Sequence, residues 1–152
     1  ADLDGDIDMD LLLLGRRVIF GSVDNQVYCV RRKNGHRLWA ADLDDRISYP
    51  LAAWQGAVSG RSPSGTAVPA TSVEMVLVVP DGGGSLSALD VYDGSRLGSF
   101  GVTSSRGMLA TGPLVLPDGR IAVARTSYAS GGAALLLLMP AISEPPPKTG
   151  QK

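Results

Sequence analysis

Five aspartates at alternate positions, Asp2, Asp4, Asp6, Asp8 and Asp10, have the types and spacing that come nearest to chemistry in this 152-residue chain. Carboxylates at every second position of a turning loop can converge on a hard cation such as calcium, which takes oxygen ligands. The competing reading is an acidic, solvated chain end. The single histidine, His36, stands beside Gly35 in a turn with no nucleophile at a recognisable spacing, and reads as a solvent-facing turn residue. The single cysteine, Cys29, cannot close an intramolecular disulfide and leaves the redox compartment open. Lying between Tyr28 and Val30, it reads as a buried structural thiol. Asp81-Gly82-Gly83-Gly84 lacks the lysine and the following helix of a phosphate loop, and reads as a hairpin. With no nucleophile elbow and no dinucleotide fingerprint either, the chain is expected not to be an enzyme.

The elements that would position these residues are strands. Nineteen Gly and ten Pro break the chain everywhere, and no window places apolar residues at helical spacing between proper caps. Aromatic residues make up only 5% of the chain, so the core must rest on Val, Leu, Ile and Ala. The formal charge of −1 gives no electrostatic reason to expect nucleic acid as a partner. The basic run Arg31-Arg32-Lys33 reads as a solvated turn. The longest apolar stretches, 11–14 and 133–141, fall short of the roughly 20 residues of a membrane-spanning helix, so no span is expected. The chain begins with Ala1 rather than Met, which suggests a processed product or a fragment.

Internal repetition is the strongest signal. Residues 18–38 align with residues 77–97 at a constant offset of 59, without a gap. Val18-Ile19-Phe20 falls on Leu77-Val78-Val79, Cys29 on Ala88, Gly35 on Gly94 and Leu38 on Leu97. Each unit reads as a short apolar strand, a tight turn, a second strand, a polar loop ending in Asn34-Gly35 or Asp93-Gly94, and a third strand. Pro50 to Gly56 echoes Pro113 to Gly119 and supplies a strand before the hairpin, with a Gly turn leading onward. Four strands per unit is the count of a propeller blade. The expected fold is all-β: a partial β-propeller of about three four-stranded antiparallel blades at 11–43, 48–102 and 112–140, part of a larger propeller. Residues 1–10 form the Asp-rich loop, 60–72 a flexible insertion in the second blade, and 143–152 a disordered Pro-rich tail.

Val18 to Ser22, then Asp24 to Val30, then Asn34-Gly35-His36-Arg37-Leu38-Trp39, resembles one repeat of the PQQ-like (quinoprotein-like) β-propeller family, itself a WD40-like architecture. The resemblance implies that Trp39 packs between neighbouring blades and that Gly35 sits in the turn, with Gly94 as its counterpart. Gly98 stands where the second unit would carry its tryptophan. The first ten residues resemble the calcium loop of FG-GAP/VCBS repeats. That likeness implies Asp2, Asp4, Asp6 and Asp10 as ligands with the carbonyl of Asp8 as a fifth, although Ile7 replaces the glycine of such loops.

These resemblances imply a non-catalytic propeller that serves as an interaction or scaffolding subunit with protein partners, in an extracytoplasmic setting. A calcium-binding adhesion or surface module is the alternative, and a fragment of a quinoprotein dehydrogenase a third reading. The third is the weakest: the adjacent-cysteine disulfide of such enzymes needs two cysteines, and three blades cannot enclose an axial pocket.

Overall fold

Short runs rich in Val, Leu, Ile and Ala between Gly, Asp and Asn turns leave the chain one way to bury its apolar surface, as small sheets stacked face to face. The computed structural model describes residues 10–61, 64–101, 107–127 and 131–141, and among these there is no helix. The first sheet contains β1 (Leu12–Leu14), β2 (Arg17–Gly21), β3 (Gln26–Arg31) and β4 (Arg37–Asp42), hydrogen-bonded in sequence order. The second contains β5 (Ala52–Arg61), β6 (Ala67–Val78), β7 (Ser85–Asp90) and β8 (Arg96–Gly101), again in order. In the third, β9 (Gly107–Leu109) and β10 (Leu114–Val115) both pair with one edge of β11 (Ile121–Ser127), and β12 (Ala133–Leu138) pairs with the other.

All pairings are antiparallel. The strands β1 and β10 both approach β5, so these three strands gather on one side and the later strands of each sheet lie outward. This is a partial β-propeller with three blades.

The middle of the second sheet, from Met75 to Val78 of β6 and through β7, is packed on both faces, and this explains the unbroken apolar run from Met75 to Val79. Successive strand residues point to opposite faces. Val76 and Val78, with Leu89 and Val91, pack against Ile19, Val27, Cys29 and Trp39 of the first sheet. Met75, Leu77 and Val79, with Leu86, pack against Leu109, Ile121 and Val123 of the third. The linker between the first two sheets adds Leu43, Ile47 and Leu51 to the first of these cores.

Four sequence expectations change on the structure. The gap-free alignment is correct from β3 and β7 onward but slips by one residue before them. Cys29 pairs with Ile19, whereas Ala88 pairs with Leu77, so Val76-Leu77-Val78 is the true counterpart of Val18-Ile19-Phe20. The turn of the second unit holds one more residue, and a one-residue slip exchanges the two faces of a strand.

Residues 67–72 of the expected flexible insertion belong to β6, which continues with β5 as a two-stranded ribbon beyond the sheet. A register shift between Val58 and Gly60 lets this ribbon accommodate Pro69, which has no N–H for a ladder. Gly56 is not a turn; β5 runs straight through it. β9 also places a piece of the third sheet before residue 112.

Candidate functional site

Of the five aspartates singled out above, Asp2, Asp4, Asp6 and Asp8 lie outside the described residues, and Asp10 is exposed where the described chain begins. The tail 143–152 also lies outside them. Among the described residues no three His, Cys, Asp or Glu side chains come together in a group able to hold a metal ion. His36 is exposed in the β3–β4 turn. Cys29 is fully buried in the first core, and burial pushes its thiol up to about 11, a shift that nearby Arg17 partly offsets. At neutral pH it is a protonated, unreactive core residue.

The residues brought together are those of the sheet interfaces. Trp39 projects from β4 toward the second sheet, is 8% exposed, and donates its indole N–H to the carbonyl of Val91 at 3.0 Å. Its ring lies on the β7–β8 turn at Gly94, where a Cβ would come within 2.6 Å of the indole. Gly94 also has a φ of 74°, in the left-handed region that favours glycine. Gly35 occupies the same place in the β3–β4 turn with a φ of 66°, but a Cβ there would meet nothing within 4 Å. One glycine answers to backbone conformation alone, the other to conformation and close approach.

A second indole, which the sequence reading did not single out, joins the second and third sheets. Trp54 of β5 donates its N–H to the carbonyl of Gly119 at 2.7 Å, in the β10–β11 turn. Its ring covers Gly56, where a Cβ would lie 2.7 Å away. The signal was available: a Trp two residues before a Gly, a spacing that puts both on the same face of a strand.

The outer part of this second interface is open. β8 carries Gly98 where β4 carries Trp39. Both pair one position before a register shift, with Ala88 and with Cys29. A Cβ on Gly98 would meet nothing within 4 Å. A groove of about 590 Å³ runs beside it, lined by fifteen residues with no charge among them.

Two further surfaces stand out. The face of the third sheet turned away from the core presents Leu114, Leu135 and Leu137, which are 62%, 66% and 47% exposed. At one end of the first sheet, Arg16, Arg17, Arg31, Arg32 and Lys33 surround a depression of about 840 Å³. Such a cationic rim attracts anionic groups in a way that salt screens. Arg17 also lies 4.8 Å from the centre of the Tyr92 ring, and Tyr92 donates its hydroxyl to Glu74 at 2.9 Å. The hydrogen bond to the Glu74 carboxylate pushes the Tyr92 phenol above its ordinary range.

No family model matches the chain, and no curated protein matches it. Solved structures do. The crystal structure of BamB from Moraxella catarrhalis matches with a TM-score of 0.56 at 12% identity, over 91% of this chain and 38% of that one. The computationally designed Ika8 protein matches with a TM-score of 0.47 at 14% identity, over 84% of this chain and 32% of that one. The chain thus spans well under half of either structure. At this identity the likeness to BamB concerns the fold alone.

Proposed function

We propose that this chain is a non-catalytic β-propeller module that works as an interaction or scaffolding subunit of a larger assembly. The observation that carries the reading is the outward face of the third sheet. Leu114, Leu135 and Leu137 stand exposed on it, whereas the corresponding faces of the other two sheets are buried against a neighbour. A group of exposed apolar side chains on one sheet face marks a surface that gains stability when a partner covers it. At roughly 25 cal/mol per Å² of apolar surface, covering three leucines contributes several kcal/mol.

The PQQ-like resemblance of residues 18–39 supports this reading and the extracytoplasmic setting. The 38% coverage of BamB fits a set of blades within a longer propeller. The calcium-binding adhesion module and the quinoprotein fragment rest on the sequence patterns alone.

Native mass spectrometry of the protein isolated from its source tests the proposal. The expected result is a mass well above that of the chain, with other subunits attached. A lone chain that stays soluble and folded as a monomer at high micromolar concentration would overturn it.

A further inference from the structure

The second interface has an indole only at its inner end, and the place where the first interface has one at its outer end is vacant. Trp39 and Gly98 are equivalent by sequence offset, by strand pairing and by the register shift that follows each. Both positions face the next sheet: Trp39 belongs to the core between the first and second sheets, and Gly98 opens onto the groove between the second and third.

We propose that this groove binds an aromatic side chain, indole first among them, presented by another polypeptide in the place that Trp39 fills one interface earlier. The inference rests on the assembly reading above and names the chemistry of the contact. Four observations support it. The groove continues outward from an interface that is already packed, so its floor of Met75, Leu77 and Leu86 is held in place by the core. No charged residue lines it, so an ionised group entering it would lose hydration without a partner.

Its rim is large and apolar. Phe100 and Met139 are 40% and 57% exposed on opposite sides of the opening. An aromatic ring can stack on the first and contact the sulfur of the second. Finally, about 590 Å³ lies within the range of sites that enclose small apolar ligands, and it has room for an indole together with the residues beside it. The β8 strand leaves this space open because residue 98 has no side chain, not because the backbone turns away.

The probes are indole and N-acetyl-L-tryptophanamide, added to the full chain carrying ¹³C-methyl-labelled methionine. Met75 and Met139 line the groove, while Met108 in β9 does not and acts as an internal reference. Saturable shifts of the first two resonances, without movement of Met108, are expected. The variant Gly98→Trp places the chain's own indole in the groove and should weaken binding of both probes roughly tenfold or more.

Should Gly98→Trp fail to fold, Gly98→Leu is measured instead, and the same loss is expected. Absence of saturable shifts in the natural chain, or shifts that persist in the filled variant, would overturn the proposal. Native mass spectrometry separates the two levels. Attached subunits without indole binding would sink only this inference, whereas indole binding by a solitary monomer would sink the assembly reading.

Discussion

The two interfaces between neighbouring sheets solve one problem in different places. Between the first and second sheets, the indole of Trp39 comes from the outer strand and closes the outer gap on Gly94 and Val91. Between the second and third, the indole of Trp54 comes from the innermost strand and is clasped by Gly119 near the axis. Each interface has one tryptophan that donates to one turn carbonyl of the next sheet. The difference is at the outer end: the Trp39 ring fills that place at the first interface, and a groove beside Gly98 lies there at the second. In a repeat fold, sheet pairing sets where a gap will occur, and a single side chain sets whether it is filled.

The comparison can be broken most directly at Trp39. Replacement by alanine removes a buried ring and leaves the Val91 carbonyl without its donor. A loss of about 3–5 kcal/mol is expected, read as a fall in Tm by calorimetry. The matching change at Gly98, to alanine, adds a methyl group where nothing stands within 4 Å and should move stability by no more than about 0.5 kcal/mol. If the two substitutions cost the same, the interfaces do not differ as described.

Next in size is the pH dependence of the first core. The folded-state pKa of Cys29 is raised, so its contribution is fully present below the unfolded value near 9 and is lost as pH rises toward about 11. Two pH units correspond to roughly 2–3 kcal/mol. Unfolding midpoints measured between pH 8 and 11 should fall more steeply for the natural chain than for Cys29→Ala.

A smaller effect separates the two turn glycines. Alanine at Gly35 meets only the cost of a left-handed backbone, about 1 kcal/mol. Alanine at Gly94 bears the same cost and also displaces the Trp39 ring, so it should lose about 1 kcal/mol more. Urea titrations of the two variants side by side measure the difference. Equal losses would mean that Trp39 does not rest on Gly94.

Much of this architecture was legible from strand patterns and turn residues, because both report on local conformation. Asn34-Gly35 and Asp93-Gly94 mark turns whose φ values are 66° and 74° at the glycines. The offset of 59 reproduces the pairing of β3 with β4 and of β7 with β8, down to the register shift in each. The ribbon of β5 and β6 was hidden because Ser, Thr, Pro and Gly dominate residues 60–72 and imitate a loop. The extra residue before Gly84 was hidden because Val18 to Phe20 and Leu77 to Val79 are apolar throughout, and such runs look alike in either register.

By itself, then, the amino-acid order determined an all-β chain of repeated four-stranded units, the turns that punctuate them, and the equivalence of Trp39 with Gly98. It could do so because φ preference and alternation are properties of neighbouring residues. Only the tertiary structure decided which face of each strand meets which sheet, that Trp54 reaches Gly119 across 65 positions, and that the space beside Gly98 stays open. Those outcomes depend on how separate sheets stack, and a gap between two sheets is a property of neither sequence segment alone.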